Sequence, residues 1–268
     1  YCLVGSEMCK RDRMRLPRNL ARLFPLVVVM ALLPLAGVTP NAEHVRAAPA
    51  AAISLSAPYA QNFDTLSNTG TGNPWTDDST IAGWYTNKTT YNAGTGTSTT
   101  GSVFSFGSTG STERALGSVA SGTTGAIYYG VRLVNDTGST VSAIAIGYTG
   151  EQWRNSADAS QHSLAFAYQV GATNLTDGSW TAASSLDFAG PISGGTAGAL
   201  DGNLAANRTT LFAVVNVTVT NGQEIWLRWQ EDNSSGDDHG LSIDDFSVSA
   251  QPYLVVTKTA SESSASPG

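Results

Sequence analysis

The chain has 268 residues and a formal net charge of −7, with 13% charged and 41% hydrophobic residues. That balance excludes a coiled coil, which needs many Glu and Lys, and a highly charged disordered chain, because the apolar share suffices to bury a core. The acidic total also argues against an electrostatically driven nucleic-acid binder, so no nucleic-acid partner is expected for this segment.

Residues 1–50 read as a secretory signal-peptide region. Lys10, Arg11, Arg13, Arg15, Arg18 and Arg22 precede an apolar run from Leu23 to Val38, and Ala47-Ala48-Pro49-Ala50 supplies small residues of the cleavage type. Met14 is the expected start of a compact signal. The run is short for a membrane span and carries Pro25 and Pro34, although an uncleaved N-terminal anchor is the alternative. After cleavage near Ala50 the chain holds no Cys or Met, and its net charge is about −11. A disulfide-stapled domain is thereby excluded, and about 200 residues must be held by their own core. The expected location is secreted or cell-surface, with no membrane partner once the signal is removed.

From 53 to 250, short apolar runs alternate with Gly-, Ser-, Thr-, Asn- and Asp-rich turns. Period two places Ile127, Tyr129, Val131 and Leu133 on one face. It does the same for Ile144, Ile146 and Tyr148, for Leu164, Phe166, Tyr168 and Val170, for Leu211 to Val219, and for Ile225, Leu227 and Trp229. Trp226 and Arg228 then point the opposite way, either as an exposed ligand platform or as the inner face of a second sheet. The pattern predicts an all-β jelly roll or β-sandwich of about 8–12 strands. In Leu241-Ser242-Ile243-Asp244-Asp245-Phe246-Ser247-Val248 the alternation slips by one, so a β-bulge at Asp244-Asp245 would return all four apolar side chains to one face. Beyond Ala250, residues 251–268 read as a linker and the first strand of a truncated repeat domain, which makes downstream domains of the same chain expected partners.

Five strings occur in order: Tyr148-Thr149-Gly150-Glu151-Gln152-Trp153-Arg154-Asn155; Leu186-Asp187-Phe188 with Pro191; Leu200-Asp201-Gly202-Asn203 with Asn207-Arg208; Trp226-Leu227-Arg228-Trp229; and Asp237 to Phe246. Together they resemble the N-terminal jelly-roll-like module of secreted bacterial multidomain surface proteins, also seen ahead of extracellular nucleases. The resemblance covers roughly residues 55–250 and implies no activity. Leu254-Val255-Val256-Thr257-Lys258-Thr259-Ala260, with Ser266-Pro267-Gly268, resembles the opening of a conserved immunoglobulin-like bacterial surface repeat.

Candidate chemistry is sparse. Asp232, Asp237 and Asp238, on a loop around Asn233 to Gly236, and Asp245 on the bulged strand offer oxygen ligands for calcium; the alternative is a solvated acidic loop whose Asp side chains cap turns. After the signal region only His162 and His239 remain, with no H-E-x-x-H and no G-x-S-x-G, so no catalytic constellation is expected here. Catalysis within the segment would use His239 and Asp238; otherwise His239 reads as a hydrogen-bonding loop anchor beside Gly240, or as one of the ligand-binding residues. Glu151, Trp153 and Arg154 read either as a sugar site, with Trp153 stacked on a pyranose face, or as a buried ion pair at the sandwich edge. The leading expectation is a non-catalytic extracellular binding or structural module that takes glycan or matrix, with a calcium-ordered loop. The alternative is the accessory front of a secreted hydrolase, such as a nuclease, whose catalytic domain lies beyond Gly268.

Overall fold

The computed structural model describes residues 52–251. The expected signal-peptide region, and the linker and opening repeat strand after Gln251, lie outside the described residues. Among those described, sixteen strands form two sheets. In chain order they are β1 (Ile53–Ser54), β2 (Tyr59–Gln61), β3 (Asn73–Pro74), β4 (Trp84–Thr86), β5 (Thr90–Gly94), β6 (Ser102–Phe106), β7 (Ala115–Val119) and β8 (Ile127–Val134). There follow β9 (Val141–Asn155), β10 (Ser163–Val170), β11 (Thr181–Ala182), β12 (Phe188–Ala189), β13 (Gly198–Ala199), β14 (Arg208–Val219), β15 (Glu224–Glu231) and β16 (Gly240–Gln251). Nine of these have five or more residues, and the other seven are short pieces that extend the sheet edges. No helix among the described residues is long and apolar enough to cross a membrane.

The seven-stranded sheet runs β1-β8-β15-β10-β11, with β4 added to β8 and β12 to β10. The nine-stranded sheet runs β13-β9-β16-β7-β6-β5-β3, with β14 added to β9 and β2 to β16. Pairing is antiparallel except at β1–β8 and β5–β6. The all-β sandwich read from the alternation is the observed fold. Its side chains follow the predicted parity, since Ile127, Tyr129, Val131 and Leu133 are wholly buried in the core, as are Ile225, Leu227 and Trp229. Alternating β-branched and aromatic residues suit this arrangement because one side of each strand packs while the other remains wet.

Trp229 lies at the centre of the core. Its ring meets Phe166, Tyr148, Phe246 and Trp84 at centroid distances of 5.2, 5.4, 5.5 and 5.9 Å. These rings come from both sheets, so aromatic edge and face contacts hold the layers together.

Two bulges shape the outer surface of the nine-stranded sheet. Between Asp244 and Ser247, β16 carries one residue more than β9, and Asp245 takes φ +49°. Leu241, Ile243, Phe246 and Val248 all enter the core as a result, as the slipped alternation predicted. The slip falls where the partner of β16 changes from β7 to β2. The second bulge is on β9: Gly240 pairs with Arg154 and Leu241 with Gln152, which leaves Trp153 unmatched.

Candidate functional site

The first candidate surface is the outer face of the seven-stranded sheet. Trp226 and Arg228 project there from β15, opposite the core-facing Ile225, Leu227 and Trp229, so they do not line the inside of a second sheet, and with Trp226 3% exposed they do not form an open platform either. Neither is bare. Trp226 is buried against Ala172 and Leu175, with Tyr85, Tyr128 and Trp180 packed around the cluster. The loop that follows β10 can lie this close because Gly130 on β8 has no side chain; a Cβ there would sit 2.8 Å from Leu175 and 2.2 Å from the Leu227 carbonyl. Arg228 pins the loop. Its Nη1 donates to the Leu175 carbonyl at 2.5 Å, and its guanidinium lies 4.1 Å from the Trp180 ring centre and 4.9 Å from that of Tyr128. Such stacking both holds the cation and rigidifies the rings. Beside this cluster a cleft of about 200 Å³ opens between Tyr85, Trp226 and Leu175, with Asp77, Asn87 and Asn174 on its polar side. The Tyr85 and Trp226 rings are 4.5 Å apart, tilted by 47°.

Glu151, Trp153 and Arg154 lie together on the outer face of the nine-stranded sheet, but under cover. Trp153 is only 1% exposed; Phe106 stacks on its indole and Gly202 lies against it. A pyranose therefore has no open face of Trp153 to pack on, which corrects the sugar-site reading. The ion-pair alternative does not hold either. Arg154 Nη1 donates to the Gly96 and Thr97 carbonyls at 3.3 Å, and Glu151 Oε2 accepts from Trp153 Nε1 at 2.9 Å. Burial pushes the Glu151 carboxyl up to about 7, against that hydrogen bond, and the nearby Glu113 charge adds to the shift. Asp244 is pushed up to about 9, first by burial and then by the charges of Glu151, Asp245 and Glu113.

The residues expected to hold calcium are not brought together. Asp232 is exposed and accepts from Gln230 Nε2, Asp237 is exposed, and Asp245 stands exposed at the bulge further along β16. Asp238 turns inward, where its Oδ1 accepts from the Ser234 amide at 2.9 Å and lies 3.4 Å from His162 Nδ1. The loop thus uses its buried carboxylate to close a turn, as the alternative reading had it. Among the described residues, the group of three acidic side chains with one oxygen each inside a common 4.8 Å is Glu113, Glu151 and Asp244. Glu113 was not legible as a member. It precedes β7, and its partners come from strands far along the chain.

His239 is fully buried. Its Nδ1 lies 2.8 Å from Ser156 Oγ and accepts from the Ser156 amide at 3.0 Å, and its ring stacks on His162 at 4.3 Å. The two carboxylates of this cluster, Asp158 and Asp238, face His162. His239 therefore serves as the predicted loop anchor, and burial lowers its pKa to about 4.

No family model and no curated protein match this chain. Solved structures with partial likeness include a CBM4 domain (14% identity, TM-score 0.32), which covers 63% of this chain and 95% of its own. Another is the CBM22-1 xylan-binding domain of Paenibacillus barcinonensis Xyn10C (11% identity, TM-score 0.32), covering 72% and 92%. A third is TmCBM61 in complex with β-1,4-galactotriose (9% identity, TM-score 0.30), covering 63% and 88%. At these identities and TM-scores, the likenesses assign no ligand to this chain.

Proposed function

We propose that residues 52–251 form a non-catalytic saccharide-binding module of an exported protein, and that the cleft beside Tyr85 and Trp226 is its ligand site. The observation that carries this reading is an aromatic-walled cleft of about 200 Å³ with amide and carboxylate groups on one side. A sugar ring has the matching chemistry: its C–H face packs on an aromatic ring, and its hydroxyls seek amide and carboxylate partners. The volume is below the roughly 300 Å³ of typical small-molecule sites, which suits a single ring or a chain end. Arg228 holds the loop in place before any ligand arrives, which lowers the ordering cost of binding. The net charge of about −11 after the signal region disfavours polyanionic glycans, so the substrate class is neutral saccharide. Export rests on the basic and apolar pattern of residues 1–50.

Calorimetric titration with neutral mono- and oligosaccharides tests the reading. Binding should fall at least about tenfold in Tyr85→Ala, as for a buried aromatic anchor, and be unchanged in Phe212→Ala, an exposed aromatic on the other sheet. Equal loss in both variants, or no saccharide bound at millimolar concentration, would remove the cleft as the site.

A further inference from the structure

The outer face of the nine-stranded sheet carries a second site, unrelated to the saccharide cleft. Glu151 projects from β9 and Asp244 from β16, in neighbouring registers: Glu151 pairs with Ser242 and Thr149 with Asp244. Glu113 approaches from the segment before β7. One oxygen of each carboxylate lies within 4.8 Å of the others. Two oxygens bound to one calcium ion at 2.3–2.6 Å can be at most about 5 Å apart, so the three fit around a single ion.

An acidic cluster alone proves little, and two further features distinguish this one. The first is unmet hydrogen bonding. Asp244 is 6% exposed and its Oδ1 is buried without a hydrogen-bond partner, as is Oε1 of Glu113. A buried carboxylate oxygen that lost water and gained nothing is expensive, and a cation between these groups would satisfy it. The second is anchoring from outside the cluster. Trp153 Nε1 holds Glu151 Oε2 at 2.9 Å, and Asn203 Nδ2 holds Glu113 Oε2 at 2.6 Å. Each donor fixes one oxygen of its carboxylate, as outer-shell partners do for metal ligands, and the second Glu113 oxygen is left without a partner. None of the three carboxylates forms an ion pair with Lys, Arg or His among the described residues. Arg208, opposite Glu151 in the β14–β9 register, lowers the Glu151 pKa from an exposed position, and the buried Arg154 spends its Nη1 on two backbone carbonyls.

We propose that Glu113, Glu151 and Asp244 bind one calcium ion, which ties β9, β16 and the segment before β7 together. An all-carboxylate donor set selects a hard cation, and the absence of His or Cys from the cluster disfavours zinc and copper. The half-buried Glu113 marks the side from which an ion would enter, and backbone oxygens or water would complete the coordination. The site lies apart from Asp232, Asp237 and Asp238, which take no part in it.

Trp153 offers a direct readout, because its indole nitrogen is bonded to a proposed ligand. Terbium(III), which takes the place of calcium in oxygen sites, should show Trp-sensitised emission on binding the protein. Calcium should quench that emission by displacement. Calorimetry with calcium chloride should give one ion per chain. Asp244→Asn and Glu113→Gln keep the shape of each side chain, and each should weaken calcium binding at least tenfold, while Asp237→Asn leaves it unchanged. Melting of the protein with calcium and then with chelator should show a calcium-dependent rise in wild type that both site variants lack. Since Glu113 is partly exposed, its variant tests the site even where Asp244→Asn folds poorly. No calcium binding at millimolar concentration would overturn the proposal, and so would binding retained in Glu113→Gln and Asp244→Asn but lost in Asp237→Asn. None of these measurements uses saccharide, so they succeed or fail independently of the cleft.

Discussion

Asp245 shows how one residue sets the local geometry. It occupies the left-handed region, which costs most L residues about 1–2 kcal/mol and Asp or Asn less. Asp245→Val should therefore lose about 1–2 kcal/mol in equilibrium denaturation, whereas Asp245→Gly should stay close to wild type. Equal losses in both would mean that the Asp245 side chain, and not its backbone, matters. His239 makes the second residue-scale case. Its pKa of about 4 lies below the ordinary 6.5, so the unfolded chain binds the proton first as pH falls. The contribution of His239 to stability is complete above about 6.5 and is lost as pH drops towards 4. Imidazole resonances followed by NMR should show His239 titrating near 4; a midpoint above 6 would contradict its burial. Its role as an anchor was readable from its position beside Gly240. Its stacking on His162, 77 positions away, was not, because chain separation gives no hint of contact.

At the scale of elements, glycines decide what may lie on a sheet. Gly130 lets the loop after β10 rest on β8, and the cleft depends on that loop. A Cβ at Gly130 meets the Leu227 carbonyl, a backbone atom that cannot rotate away. Gly130→Ala should cost about 1–3 kcal/mol and also weaken saccharide binding, since Leu175 must move. Thermal melting combined with titration checks both; lost stability with full binding would show that the loop does not shape the cleft. The bulge at Asp244-Asp245 was legible because four apolar residues changed parity within eight positions. The bulge at Trp153 was not, because Gln152, Trp153 and Arg154 give no apolar parity to compare. The Trp153 indole is covered, although its neighbourhood suggested a sugar platform, because its ring stacks on Phe106 and Gly202 closes over it.

At the scale of the whole molecule, Trp229 joins the two sheets through rings from β4, β9, β10 and β16. Trp229→Ala should cost about 3–5 kcal/mol, the range for deleting a large buried aromatic side chain. Denaturant melts would check this; a loss below 1 kcal/mol would place the interlayer stability elsewhere. Edge management also belongs here. The seven short strands extend or cap longer ones, and such two- and three-residue pieces carry no periodicity for a sequence reader to find.

The sequence by itself determined the all-β class, the core face of each long strand and the slip on β16. These follow from period-two alternation, a local property that needs no knowledge of partners. It also placed Trp226 and Arg228 on the face opposite Ile225, Leu227 and Trp229, leaving open whether that face was a platform or the inside of a second sheet. Only the tertiary structure decided what covers them, that Trp153 is closed off, and that Glu113 joins Glu151 and Asp244 while the loop aspartates stay apart. The physical reason is that strands distant in the chain become neighbours in a sheet through backbone pairing. Carboxylates meet according to that register, not according to their spacing in the chain. A run of nearby aspartates is conspicuous in a sequence, yet the convergent set was assembled from three separate segments.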